Sequence, residues 1–508
     1  MKKAERIALE KKYNRIKKLK LSLDLTRGKP SAEQLDFSNL LMGNLKNKKD
    51  FKLDGTDIRN YGEIDGLLSA KKIGSFLLDM KPKNIIANGT SSLSLTAFML
   101  QTLFFKGNGD GPWKNKKKIS VICPVPGYDR HFALFEEMGI NMISVPLTGK
   151  GPNMDKVEEI VAKDKSVRGI ICVPKHSNPT GETYSKETVI RLAKLPKMGN
   201  KDFMIFYDNA YSVHDFNKSP KLLNIFKQCE KFKTENNISL FASTSKITFA
   251  GSGVAFIGGS EKTLSNFLSY LGKIIVGADK INQARHVKFL KDSKSLANHM
   301  DNLATVIKPK FEIVENYLSK IPDGYATWST PTGGYFVSFN SKPGKAKKIY
   351  QLCLDAGLKL TPVGSTFPYK KDPANQNIRL APTQVKNSDL KKAMDSNRFK
   401  RLILSSINLK WSRFQDYYED GWHGTWRMDG GVVSQQAIHH IDALQWICGP
   451  IRRLVSKQNN AINLLEAEDT SIVLLEFLDG SLGTIEATTA SRVGDIEASI
   501  SILGEGGH

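Results

Sequence analysis

Four short runs in this chain are apolar almost without interruption: Ile119-Ser-Val-Ile-Cys123, Gly169-Ile-Ile-Cys-Val173, Phe203-Met-Ile-Phe-Tyr207 and Ser239-Leu-Phe-Ala-Ser243. A strand with one wet face alternates apolar and polar residues, whereas a continuous apolar run suits a strand covered on both faces. Helical periodicity fills the gaps, for example over 155–162 and 187–195. From about residue 50 to 300 the chain therefore reads as an α/β layer sandwich on a mainly parallel sheet. Polar residues follow directly after the runs, at Pro124 to His131, Lys175 to Gly181, Asp208 to Tyr211, and Ser245-Lys246. Open α/β sheets bind ligands at the carboxyl ends of their strands, so these positions belong to one candidate site. A long helical pattern over 284–318 leads into a smaller α+β domain. It carries Gly333-Gly-Tyr-Phe-Val-Ser338 and Asn377-Ile-Arg-Leu-Ala-Pro-Thr383.

The chain has 508 residues, 40% hydrophobic and 25% charged, the composition of an ordinary soluble globular protein. Its formal net charge is +23, with lysines scattered throughout and densest at the start. There Leu9, Tyr13, Ile16 and Leu19 recur at helical spacing, which predicts a solvated amphipathic helix. The 23 residues before Asp24 leave no room for a DNA-binding domain at this end, and no nucleic-acid partner is expected. The five cysteines are far apart and form no CxxC pair, so no zinc site or disulfide framework is indicated. No apolar run reaches membrane-spanning length and the lysine-rich start lacks a signal-peptide core, so no membrane partner and a cytoplasmic location are expected.

The candidate site centres on Ser243-Thr-Ser-Lys-Ile-Thr-Phe-Ala-Gly-Ser-Gly253. An amine at Lys246 can condense with a cofactor aldehyde and later shuttle a proton. Asp208, at the end of an apolar run, suits a carboxylate that keeps a pyridine nitrogen protonated. Asn178 and Tyr211 can hydrogen-bond a ring oxygen. Asn88-Gly-Thr-Ser-Ser92 precedes a helical pattern, and a helix N-terminus offers free amides to a phosphate. Tyr128 offers an aromatic face, and Arg379 a fork for a carboxylate. Amine, carboxylate and amide in this order suggest pyridoxal 5'-phosphate as cofactor.

Together these residues resemble the fold-type-I pyridoxal-phosphate aminotransferases. The wording Leu25-Thr-Arg-Gly-Lys-Pro30, Arg59-Asn-Tyr-Gly62, Pro126-Gly-Tyr-Asp-Arg-His131, Pro174-Lys-His-Ser-Asn-Pro-Thr-Gly181 and Ser243-Thr-Ser-Lys246 is most similar to the MocR-like aspartate aminotransferase group. The resemblance covers roughly residues 10–390. It implies a three-layer large domain (about 50–300) and a small domain (about 1–49 and 301–390). It further implies that Lys246 holds the aldehyde, Asp208 pairs with the pyridine nitrogen, Asn178 and Tyr211 meet the 3-oxygen, and Tyr128 stacks on the ring. Thr90, Ser91, Ser243 and Ser245 would hold the phosphate, and Arg379, with Asn178 and Arg27, the substrate. Tyr61 would reach the phosphate of a neighbouring subunit, which implies a homodimer with shared sites, and residues of Gly277-Ala-Asp-Lys-Ile-Asn-Gln283 would also approach from the partner subunit. Many relatives place an arginine shortly after the lysine to grip the phosphate. Here that position falls on Gly253 or Val254, leaving Lys280 or Arg285 as substitutes.

The texture changes near residue 390. Residues 401–411 alternate like a strand, a helical pattern covers 432–447, and 470–477 and 481–488 read as strands around Asp479-Gly480. This stretch, about 391–508, resembles the C-terminal domain of the Gfo/Idh/MocA oxidoreductases. In that family a histidine at the position of His439 does acid–base work. Asp442 lies three residues on, and no metal is expected. No G-x-G-x-x-G follows a strand, so the nicotinamide-binding domain is missing and the fragment is expected to be redox-inactive. Residues 388–395 suit a helix of either family, which suggests a chimeric or truncated reading frame. The expected activity is transfer of an amino group from an amino acid, aspartate first, to a 2-oxo acid such as 2-oxoglutarate. The alternatives are other pyridoxal chemistry at Cα (a lyase or decarboxylase) and, from the tail only, an NAD(P)-dependent sugar oxidoreductase. An acidic substrate needs a second cation, for which Arg27, Lys29, Arg59 and Arg130 are candidates.

Overall fold

A computed structural model describes residues 3–18, 20–216, 219–386 and 402–504. The chain divides into two compact units, Met1–Met394 and Asp395–His508. The stretch 388–395, at which the two family resemblances meet, and Leu19 lie outside the described residues.

In the first unit the N-terminal helix α1 (Lys3–Lys18) is tied down by the Tyr13 hydroxyl, which donates to Leu352 O at 3.1 Å, while Leu9 stays exposed. The main sheet has seven strands: β1 (Ile85–Ala87), β2 (Ser120–Val125), β3 (Asn141–Pro146), β4 (Val167–Cys172), β5 (Met204–Asp208), β6 (Ile238–Ser243) and β7 (Ala255–Gly258). Their order is β1-β7-β6-β5-β4-β2-β3. All neighbours run parallel except β7, which is antiparallel to both β1 and β6. Alternate residues of one strand feed different cores. Ile205 and Tyr207 join one cluster and Met204 and Phe206 the other; Leu240 and Ala242 part from Phe241 in the same way. Burial on both faces is thus the cause of the continuous apolar runs.

Beside it lies a three-stranded antiparallel sheet, β8 (Ala326–Trp328), β9 (Val337–Ser341) and β10 (Asn377–Leu380). Leu23 and Leu25 near the start pack into the same core as Val337, Phe339 and Ile378, and that core continues to the main sheet. The single helix expected over 284–318 is instead two, α5 (Lys280–Phe289) and α6 (Ser293–Leu318). Asp292 breaks it: its backbone is extended and its carboxylate accepts from Ser295 N at 2.7 Å, a cap that starts a new helix. Helices used below are α2 (Leu68–Leu78), α3 (Ser92–Phe105) and α4 (Asp129–Glu137).

The second unit is a five-stranded sheet of β11 (Leu402–Lys410), β12 (Ile451–Asn459), β13 (Thr470–Phe477), β14 (Leu482–Thr488) and β15 (Glu497–Gly504), ordered β12-β13-β14-β11-β15. Only the β11–β14 pair is parallel. Its core holds Ile407, Leu409, Val473, Leu475, Phe477 and Ile485 with Leu444 of helix α7 (Ile438–Cys448). The expected helix over 432–447 starts later, because 432–437 is a turn in which Ala437 N donates to Val432 O at 2.9 Å. Ile472, Leu474 and Leu482 are exposed.

Candidate functional site

The strand ends and two helix starts of the first unit enclose a cavity of about 130 Å³. It is lined by Ser91, Ser92, Leu93, Tyr128, Asn178, Asp208, Tyr211, Ser243, Ser245 and Lys246, with Val173 and Ala210. Residues more than 150 positions apart in sequence meet here because β2, β4, β5 and β6 all end at the same edge.

Asp208 closes β5 and is buried. Its Oδ1 accepts from Ala210 N at 3.1 Å, and its Oδ2 lies 3.2 Å from His131 Nε2. His131 is buried on α4 and meets the Tyr128 ring edge-on at 4.9 Å between centroids. His131 lies within the Pro126-Gly-Tyr-Asp-Arg-His131 motif, where residue type alone gives it no task; its place beside Asp208 depends on the pairing of β2 with its neighbours.

The amine of Lys246 stands 5.0 Å from the centre of the Tyr211 ring. Burial raises the Tyr211 phenol well above its ordinary range, so it stays protonated. The lysine's own carbonyl is held twice. It is 3.2 Å from His214 Nε2 and accepts from the Tyr335 hydroxyl at 3.2 Å, and Gln34 Nε2 donates to that hydroxyl at 2.9 Å. Burial pushes His214 down to about 3, so the ring is neutral; Nε2 carries the hydrogen toward the carbonyl and Nδ1 is buried without a partner. Neither His214 nor Tyr335 was singled out from sequence. Each acts through a backbone atom, which leaves no pattern in residue types.

On the opposite side, Ser91 caps α3, its Oγ accepting from Ser94 N at 3.2 Å. The amides that open a helix have no intrahelical carbonyl to donate to, and Ser92 and Leu93 at this start line the cavity. Ser245 Oγ donates to Thr90 O at 2.6 Å, which ties the lysine-bearing turn to that helix start. Thr90 enters the arrangement through this carbonyl. Gly253 explains why no arginine stands there. A Cβ at Gly253 would lie 2.7 Å from Ser245 Oγ and 2.8 Å from Ser245 N, and Asn282 Nδ2 donates to Gly253 O at 3.0 Å. Neither Lys280 nor Arg285 is among the residues that line the cavity. Lys280 is buried with its amine on Gly62 O at 2.9 Å and Glu63 at 3.2 Å, and Arg285 Nε is buried without a partner.

Arg379 on β10 is buried and spans the space between the two sheets. It contacts Asp129, Asn178, Thr361 and the Thr26 carbonyl. Arg27, Lys29 and Arg130 are exposed, and Arg59 forms a two-pronged pair with Asp57 at 2.9 and 2.6 Å. Tyr61 is 80% exposed. In the second unit His439 and Asp442 are both exposed, and among the described residues no group of three His, Cys, Asp or Glu is placed to hold a metal.

A buried carboxylate and a lysine amine share one cavity with a capped helix start and four serines, at the carboxyl edge of a mixed α/β sheet. That is the architecture of an aminotransferase, and solved structures agree. An aspartate transaminase from Corynebacterium glutamicum superposes with a TM-score of 0.73 at 39% identity, over 78% of this chain and 95% of that one. LysN, an α-aminoadipate aminotransferase from Thermus thermophilus, shares the fold at a TM-score of 0.61 and 18% identity, over 73% of this chain and 90% of that one. The aspartate amino-transferase family model matches residues 3–406, and the chain belongs to that family. Among curated relatives, an aspartate aminotransferase of Corynebacterium glutamicum is 40% identical over 405 residues, 77% of this chain and 93% of that protein. The chain is an enzyme of the transaminase class. Residues 388–508 match the GFO/IDH/MocA C-terminal domain, so the two matches overlap at 388–406.

Proposed function

We propose that the chain is a pyridoxal-phosphate-dependent transaminase that takes the amino group of aspartate and passes it to a 2-oxo acid such as 2-oxoglutarate. One observation carries this reading: Lys246, Asp208 and the start of α3 line a single cavity. The donor set fits the cofactor. The amides of α3 and the hydroxyls of Ser91, Ser243 and Ser245 suit a phosphate. Among the described residues the buried Asp208 carboxylate is paired with His131 and with no lysine or arginine, which suits a protonated pyridine. The bound cofactor supplies an electron sink for the pair left at the substrate's α-carbon.

The protein's own groups do the rest. Once the substrate amine has displaced it from the cofactor aldehyde, Lys246 Nζ would take the proton from Cα and deliver it to the former aldehyde carbon. Asp208 keeps a proton on the facing ring nitrogen, steadied by Ala210 N–H. Asn178 and Tyr211 would donate to the cofactor's ring oxygen, Tyr128 would offer its face to the ring, and Arg379 would orient the α-carboxylate. Arg27 is assigned to the substrate side chain. We assign Tyr61 to the site of a second copy, which makes the active form a homodimer; its exposure supports this. Membership of the MocR-like branch, a cytoplasmic setting, and the division of the first unit into large (about 50–300) and small (about 1–49 and 301–390) domains belong to the same proposal. The second unit is proposed to be redox-inactive here, with the junction near 391 arising from a chimeric reading frame. No helix among the described residues is long and apolar enough to cross a membrane.

The test is a half-reaction. Single amino acids are added to the purified, cofactor-loaded protein and the cofactor's absorbance is followed. Aspartate should discharge it fastest, and 2-oxoglutarate should restore it. Absence of any response across the amino acids, or release of carbon dioxide in place of an oxo acid, would overturn the reading.

A further inference from the structure

Every two-pronged face of the Arg379 guanidinium is already engaged. The group has five N–H donors. Its Nε donates to Thr361 Oγ1 at 3.2 Å, and Nη2 to Thr26 O at 3.2 Å. Its Nη1 donates to Asp129 Oδ1 at 2.8 Å and to Asn178 Oδ1 at 3.3 Å. One N–H remains, whereas a fork onto a carboxylate needs two that are parallel. The Phe336 ring centre lies 5.1 Å from the guanidinium carbon, so the group is packed as well as hydrogen-bonded. A substrate carboxylate must therefore displace a partner. Thr361 is itself held, its hydroxyl donating to Thr26 O at 2.7 Å, and the Thr26 carbonyl is backbone. Asp129 differs. It sits at the first position of α4, 30% of its side chain reaches solvent, and it carries the same chemical group as the incoming ligand.

We propose that Asp129 is a built-in competitor for the carboxylate site of Arg379. It occupies the guanidinium when no substrate is bound and swings away when one arrives. The inference rests on the reading of Arg379 as the carboxylate ligand. Asp129 keeps the buried guanidinium from being left as a lone charge and from trapping any small anion at hand. It thereby sets how strong a carboxylate must be to enter, which makes it a specificity-determining residue rather than a proton carrier. Once displaced, its carboxylate can reach water or the free amides of its own helix start, where a negative charge is favoured.

The experiment uses the cofactor-loaded full chain with succinate, an unreactive dicarboxylate, titrated calorimetrically. Asp129→Asn keeps the shape and an acceptor oxygen but removes the charge; Asp129→Ala removes both. Succinate should bind about tenfold or more tightly in both variants, since a charge-assisted hydrogen bond no longer has to be broken first. The KM for aspartate should fall in parallel, while the absorbance of the bound cofactor is unchanged. Unchanged or weaker succinate binding in both variants, with that absorbance intact, would overturn the proposal. Arg379→Lys separates the two layers. If it leaves succinate binding and the KM untouched, Arg379 is not the carboxylate ligand and the underlying assignment fails.

Discussion

Replacing His214 by glutamine tests the account of how the lysine is held, and its effect should depend on pH. Burial pushes His214 from 6.5 down to about 3; the charge of Lys246 and the nearby His176 push the same way, and the hydrogen bond to Lys246 O and the charge of Asp215 oppose. Between those values the unfolded chain binds a proton that the folded chain refuses. Stability from this group is therefore complete above pH 6.5 and is lost as pH falls toward 3. From pH 6.5 to 5 the loss is about 1.5 units at ~1.36 kcal/mol each, or ~2 kcal/mol. At an m-value of about 3 kcal/mol/M this lowers the urea midpoint by roughly 0.7 M. Glutamine has no such proton to gain and keeps an N–H near the Lys246 carbonyl. The apoprotein of His214→Gln should therefore lose roughly 0.7 M less than the native chain between pH 7 and 5, whatever its stability at pH 7. Equal pH dependence in the two proteins would refute the reasoning, because it would mean that His214 titrates normally and is not a buried neutral donor.

Three further outcomes follow from the same geometry. Glu182 is pushed up to about 7 by burial, against hydrogen bonds from Gly151, Thr180 and Gly149. Its contribution has the opposite sign, present below about pH 4.5 and lost as pH rises to 7, so Glu182→Gln should raise the urea midpoint at pH 8 and leave it little changed at pH 4. Gly253→Arg supplies the arginine that the family resemblance leads one to expect but drives a Cβ into Ser245, so cofactor affinity measured by equilibrium dialysis should weaken, by about 1–3 kcal/mol of overpacking; tighter binding would contradict this. Asp208→Asn cannot hold a proton on a pyridine nitrogen, and steady-state transamination should fall at least about 100-fold while circular dichroism is unchanged.

Much of the site was legible in residue types, because its chemistry sits where apolar runs stop. Asp208 and Ser243 end strands buried on both faces and Lys246 follows one, and that burial is what makes the runs continuous. β1 and β7 escaped notice because they are three and four residues long. β3 escaped because it lies at the sheet edge with only two of its six residues buried, so its run is broken by polar residues. The split between α5 and α6 was hidden because the apolar spacing carries on across Asp292. Asp129, His131, His214 and Tyr335 were missed for a different reason. Asp129 meets Arg379 across 250 positions, and Tyr335 meets the Lys246 backbone across 89. Such contacts are set by how two sheets pack, and no local spacing announces them. The second unit shows the same limit: β13 and β14 alternate cleanly, whereas β12 has exposed residues along nearly its whole length.

The central claim is that Lys246 carries the cofactor. It is tested most directly by loading the protein with pyridoxal phosphate, reducing the link with borohydride, and sequencing the digested peptides by mass spectrometry. The account predicts one phosphopyridoxyl group, on the peptide containing Ser243-Thr-Ser-Lys246, absent from Lys246→Ala, whose transamination falls by roughly 10²–10⁴-fold. A label on another of the chain's lysines, or an equal yield in Lys246→Ala, would contradict it.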